Sequence, residues 1–110
     1  MTERDFQRAV MELAELQGWE TLHVRTSMQQ GRYMTATTGT MAKGWPDLVL
    51  AHPKRRRLLF VELKADRGRL RPDQERVHAA LWEAVGYTVK VWRPRDWPTI
   101  EGVLGLEVAA

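Results

Sequence analysis

Three side chains near the middle of the chain have the types and spacing that suit hydrolysis of a phosphate ester. They are Asp47, Glu62 and Lys64, in the pattern Pro-Asp, fourteen residues, Glu-x-Lys. Pro46-Asp47-Leu48-Val49-Leu50-Ala51 reads as one strand and Leu58-Leu59-Phe60-Val61-Glu62-Leu63-Lys64 as the next. The connection His52-Pro53-Lys54-Arg55-Arg56-Arg57 is short enough for a hairpin. A turn centred between Lys54 and Arg55 sets Asp47 directly opposite Glu62, with Cβ atoms roughly 4.5–5.5 Å apart. Like charges facing each other across a strand pair are destabilising unless something neutralises them. Mg²⁺ or Mn²⁺ would do so, since both take carboxylate oxygens. Alternation places Lys64 on the face of Glu62, beside Phe60 and Leu58. An ammonium there is either half of a structural ion pair or the group that orients or deprotonates a water for attack on phosphate.

Two helices each add a polar group. In the first, Phe6, Val10, Leu13 and Ala14 form the apolar stripe, and Glu3 falls within it while Glu12 and Glu15 point away. A carboxylate that begins a core-facing stripe calls for a metal or a cation. In the second, Val77, Leu81, Ala84 and Val85 form the stripe, and Gln74 takes the place that Glu3 holds in the first. Gln74 also reads as a simple capping partner near a helix start.

The elements that must position these groups follow from periodicity and punctuation. Residues 3–17 form a helix, with Thr2 as N-cap and Gly18 as C-cap. Residues 19–24 form a short strand. Residues 26–43 show no period and are expected to be a long flexible loop, of the kind often tied to function. After the hairpin, residues 67–71 form a loop, and Pro72 opens a helix that stops at Gly86. Residues 87–92 form a fourth strand, and Asp96 caps a last helix ending near Gly105. The order α-β-β-β-α-β-α predicts an α/β domain with a mixed four-stranded sheet flanked by helices.

Four segments in this order, Thr2-Glu3-Arg4-Asp5-Phe6-Gln7, Lys43-Gly44-Trp45-Pro46-Asp47-Leu48, Phe60-Val61-Glu62-Leu63-Lys64 and Gly68-Arg69-Leu70-Arg71-Pro72-Asp73-Gln74, carry a family resemblance. The chain resembles a small stand-alone VRR-NUC domain of the PD-(D/E)xK nuclease superfamily, of the phage and prophage type. The resemblance spans nearly the whole chain and implies a restriction-endonuclease-like fold. It implies metal binding by Asp47 and Glu62 with the backbone carbonyl of Leu63, and Glu3 completing the metal shell. Lys64 would position or activate the attacking water, and Gln74 would support Lys64 or the substrate phosphate. Mg²⁺ or Mn²⁺ is the implied cofactor. Branched DNA such as a four-way junction is the implied substrate, cut by a homodimer. Arg71 departs from the pattern, since a small capping residue is common before the proline; it weakens the cap and adds a phosphate contact.

Composition narrows the classes. The chain has 110 residues, 44% hydrophobic and 28% charged, which suits one domain over residues 1–110. No apolar run reaches the roughly 18 residues of a membrane span, and the acidic opening does not read as a signal peptide. The absence of cysteine removes disulfides, thiolate zinc sites and cysteine nucleophiles, and suits a reducing cytoplasm; the resemblance implies that of a bacterial host. The net charge is only +3, yet Lys54, Arg55, Arg56 and Arg57 cluster, as do Arg67, Arg69 and Arg71. Guanidinium groups match phosphate geometry, so these seven are the expected DNA contacts, together with the 26–43 loop; a solvated basic face is the plain alternative.

His23, His52 and His78 share no metal-ligand spacing. His23 is expected to face solvent, and His78 to be a satisfied core histidine that could touch the site. Trp19, Trp82 and Trp92 read as packing residues and Trp97 as an anchor for the last helix, while Trp45 either fills the core or stacks on a base. The leading expectation is a metal-dependent DNA endonuclease. The alternatives are a non-catalytic DNA-binding module of the same fold and a nuclease subunit that works only within a larger complex.

Overall fold

The computed structural model describes residues 1–24, 27–29, 32–34, 37–86 and 88–105. α1 (Glu3–Leu16) begins at Thr2, whose Oγ1 accepts from Asp5 N at 3.0 Å while Asp5 Oδ2 accepts from Thr2 N at 3.4 Å. This reciprocal cap satisfies two of the donors that a helix start leaves open. β1 (Glu20–His23) follows, then a two-stranded antiparallel ribbon, β2 (Ser27–Gln29) with β3 (Arg32–Met34). The ribbon falls in the stretch read as a long irregular loop and corrects that expectation: six of its residues pair. Thr26, Gln30, Gly31, Thr35 and Ala36 of that stretch lie outside the described residues, as does Tyr87 of the expected fourth strand.

β4 (Leu48–His52) and β5 (Arg57–Leu63) form the expected hairpin, with Leu48 opposite Val61, Leu50 opposite Leu59 and His52 opposite Arg57. This is the register of a turn centred between Lys54 and Arg55. α2 (Pro72–Val85) and β6 (Val89–Trp92) complete a four-stranded sheet in the order β1-β4-β5-β6. β1, β4 and β5 are antiparallel, whereas β6 runs parallel to β5 after the α2 crossover. A short 3₁₀ turn (Pro94–Asp96) leads into α3 (Trp97–Gly105). The sheet is therefore mixed and flanked by helices, as the periodicity implies.

Strand alternation divides the molecule. Leu48 and Leu50 of β4 and Leu59, Val61 and Leu63 of β5 face one side, where Phe6, Val10 and Ala14 of α1 and Ile100 and Leu104 of α3 bury against them. The opposite face carries Phe60 and Glu62, covered by α2 through Gln74, Val77, His78 and Leu81. The apolar core thus lies under α1 and α3, and the polar groups collect under α2. Three side chains brace the first layer. Trp19 Nε1 donates to Leu104 O at 2.9 Å, and His52 Nε2 meets Gln17 O at 2.9 Å. Arg55 donates to Val103 O at 3.1 Å and Leu104 O at 3.2 Å while stacking over the Trp19 ring. The carbonyls that the ends of α1 and α3 would leave open are satisfied in this way.

Candidate active site

Asp47 ends the approach to β4 and Glu62 lies near the end of β5, so the hairpin register alone brings them side by side. Leu63 N donates to Asp47 Oδ2 at 2.8 Å and fixes that carboxyl. Glu62 is 3% exposed. Its Oε2 accepts from Gln74 Nε2 at 3.2 Å, and its Oε1 is buried with no hydrogen-bond partner. The Asp47 carboxyl is pushed up to about 7, by burial first and then by hydrogen bonding and charge from Glu62. The Leu63 N–H and the Lys64 ammonium act in the opposite direction. Two acidic groups held this close resist ionising together, and an ion or a proton between them relieves the repulsion.

Gln74 sits where the second helix stripe places it, but its partners differ from those the resemblance implies. Its Oε1 accepts from Arg71 N at 2.8 Å, which caps α2, and its Nε2 holds Glu62. The capping role and the site role are therefore one side chain's two ends. Lys64 lies just beyond β5, where its N–H donates to Trp92 O at 3.0 Å. Its side chain lines a cleft of about 140 Å³ shared with Glu3, Phe6, Asp66 and Pro94. Glu3 is exposed, which corrects its placement on a core-facing stripe: in the first turn the stripe has run past the edge of the core. It faces the cleft with Lys64, and neither Asp47 nor Glu62 lines that cleft. Among the described residues, no three His, Asp or Glu side chains already form a closed metal cage.

His78 is a site neighbour that the sequence motifs do not mark. It is buried one turn after Gln74, and its Nε2 stands 3.7 Å from Glu62 Oε1 with no hydrogen-bond partner. The expectation of a satisfied core histidine is thereby corrected. A signal for it exists in the sequence, because residues four apart share a helix face. His23, expected to face solvent, is partly buried, with Nδ1 3.0 Å from Gln7 Nε2. Trp82, expected to pack inside, is 51% exposed and borders a groove with Leu70, Val89 and Val91. Trp45 packs edge-on against Phe60 at 5.5 Å and so takes the core alternative.

The basic groups separate. Arg67 and Arg69 are exposed on the loop that leaves Lys64, and Arg71 pairs with Asp73 at 3.3 Å while staying 60% exposed. Arg93 and Arg95, unremarked in the sequence, hold this loop by donating to Gly68 O at 2.8 Å and to Asp66 O at 3.0 Å. Lys54, Arg56 and Arg57 are at the other end of the hairpin, roughly 17 Å from the carboxylates by the rise of β4, and all three are exposed. Arg55, expected to contact DNA, is turned inward, and its guanidinium is engaged with α3 carbonyls.

The profile of the VRR-NUC domain matches residues 5–96. The chain belongs to the VRR-NUC family. The match covers Asp47, Glu62, Lys64 and Gln74, and it begins just after Glu3. No curated protein and no solved structure matches the chain. The VRR-NUC family is a nuclease family, so the mixed sheet with its paired carboxylates belongs to a nuclease-type, DNA-acting domain.

Proposed function

We propose that the protein is an endonuclease that hydrolyses DNA phosphodiester bonds with a divalent cation, Mg²⁺ or Mn²⁺. The observation that carries the proposal is the Asp47–Glu62 pair, with a buried carboxylate oxygen, Glu62 Oε1, that has no hydrogen-bond partner. An orphaned buried carboxylate oxygen next to a second carboxyl is a position where a cation relieves the repulsion once both groups are ionised. Asp47, Glu62 and the Leu63 carbonyl are the groups that would hold it; the resemblance adds Glu3, which lines the neighbouring cleft with Lys64. When bound, the cation supplies Lewis-acid charge at the scissile phosphate.

The remaining work falls to the chain's own side chains. Leu63 N–H and Gln74 Nε2 orient the two carboxylates before any substrate arrives. Lys64, lining the open cleft and close enough for its charge to act on Asp47, positions the attacking water by donating to it, and the water's proton passes to solvent. Arg67, Arg69 and Arg71 leave the same strand end and hold the flanking phosphates without reading bases. Each chain carries one such site, so concerted cutting of two strands calls for a homodimer. We place its action on branched DNA in the cytoplasm of a bacterial host.

A gel assay tests this with wild type and Asp47→Ala on a four-way junction, a splayed arm, linear duplex and single strand, in Mg²⁺, Mn²⁺ or EDTA. Metal-dependent cutting by wild type and none by the variant is expected, with the junction cut fastest. Wild type that binds DNA and metal yet cuts nothing, or equal cutting by the variant, overturns the proposal.

A further inference from the structure

The chain leaves the main sheet at the end where the carboxylates stand and returns to it at Asp47, with the β2–β3 ribbon in between. Val24 follows β1, and its N–H donates to Asp47 O at 2.8 Å. Ser27 opens β2 only three residues later, so chain reach keeps it within about 11 Å of Val24. On the return side Arg76 of α2 donates to Thr40 O and holds the turn that leads to Asp47. Both legs of the ribbon are thus tied at the site. Its strands pair Ser27 with Met34, Met28 with Tyr33 and Gln29 with Arg32. Among the described residues neither strand joins the four-stranded sheet, and the two pack chiefly on each other. Two strands with no third strand or helix against them are marginal in water, so the ribbon calls for a partner.

The charge pattern identifies that partner. Residues 21–46 contain no Asp or Glu, and they hold Arg25, Arg32 and Lys43. The other 14 basic residues are matched by the 14 acidic ones, so the whole surplus of +3 falls in this stretch. A polyanion complements it. The major groove of DNA, about 12 Å wide, admits a two-stranded ribbon, whereas the minor groove of about 6 Å does not. Three strand residues rise about 10 Å, close to the major-groove depth of about 8.5 Å.

We propose that the β2–β3 ribbon enters the major groove of a duplex arm beside the scissile phosphate, so that the protein grips DNA that is double-stranded next to the cut. The inference rests on the nuclease reading above, which puts the DNA at Asp47, and it names the part of the substrate that the ribbon takes. Gln29 and Arg32 face each other across the register at its end farthest from Val24. Both are residue types that bond base edges in the major groove.

The test measures binding of the whole protein in EDTA to two duplexes of about 20 base pairs with the same sequence. One is unmodified, and in the other glucosylated 5-hydroxymethylcytosine fills the major groove. Wild type is expected to bind the glucosylated duplex at least about tenfold more weakly. Gln29→Ala/Arg32→Ala is expected to bind both alike, at the weaker affinity. Arg67→Ala/Arg69→Ala should lose affinity for both and keep the ratio between them, since that loop holds phosphates. Where the double ribbon variant does not fold, Arg32→Gln is read in its place, with the ratio expected to fall by more than about half. Equal binding of the two duplexes by wild type overturns the role of the ribbon and leaves the nuclease reading to the cutting assay. A ratio that survives in the ribbon variant, or disappears in the loop variant, overturns it in the same way. Wild type that binds neither duplex overturns both readings.

Discussion

At the scale of single residues, the crowding of Asp47 and Glu62 sets a stability that depends on pH. An ordinary aspartate ionises near 3.8, and the Asp47 carboxyl does so at about 7 because it is buried against Glu62. Between those two values the unfolded chain releases the proton while the folded chain keeps it. Stability therefore falls as pH rises through this window and levels off above about 7. The penalty is on the order of 4 kcal/mol. Asp47→Asn keeps an oxygen for Leu63 N–H and offers Glu62 a donor in place of a second charge. In EDTA above about pH 7 its Tm is expected to exceed that of wild type by roughly 5 °C or more, with the difference vanishing near about pH 4. It should cut no DNA. A lower Tm at about pH 8 would show that the two carboxyls do not oppose each other in the folded state. Arg55 makes the complementary case, a cation whose work is structural. Its two bonds to α3 carbonyls and its stacking on Trp19 lead us to expect a loss of about 2 kcal/mol on Arg55→Ala in urea unfolding. The salt dependence of DNA binding should stay as it is; a flatter slope with unchanged stability would return Arg55 to the DNA surface.

At the scale of elements, the first turn of α2 is what holds Gln74 to Glu62, and the Gly44 backbone passes directly beneath it. A Cβ on Gly44 would collide with the Asp73 carbonyl and stand 3.0 Å from Val77 Cγ2, at a φ of +104° that strains any other residue. Gly44→Ala is expected to lose more than about 3 kcal/mol and most of the cleavage activity, because α2 must lift. Gly39→Ala, at φ +109° in open space, should lose only about 1–2 kcal/mol and keep its activity. Equal losses in thermal unfolding would mean that conformation, and not the α2 contact, sets the cost at both positions. The same elements show what a sequence can carry. The β4–β5 register is legible because a short hairpin leaves few pairings, and α2 is legible from Pro72 to Gly86 through its end signals. His78 is legible only in part, as an inward group that could touch the site, since periodicity names a buried face without naming what that face meets. Glu3 is misplaced for a related reason: a stripe extrapolated along α1 has no knowledge of where the core stops. Arg55 shares a run with Arg56 and Arg57, and only the packing of α3 tells it apart.

Across the whole molecule, the hairpin sorts the basic residues by distance from the chemistry. Asp47 opens β4 and Lys64 follows β5, so both lie at the sheet end where the 67–71 loop and the 3₁₀ turn also gather. Lys54, Arg56 and Arg57 lie at the opposite end, roughly 17 Å along β4, which is the rise of about five base pairs. A hairpin duplex of about six base pairs centred on the site extends about 10 Å to each side, far enough for the loop arginines and short of the turn, whereas one of about 30 passes both. Replacing Arg67, Arg69 and Arg71 together by alanine should weaken binding to both duplexes in EDTA. It should also reduce the slope of log Kd against log salt by about 0.9 for each phosphate no longer neutralised. Replacing Lys54, Arg56 and Arg57 should leave the short duplex unaffected and reduce the slope only on the long one. Equal effects of the two triple variants on the short duplex would centre the bound DNA between the catalytic end and the turn, and not on the catalytic end.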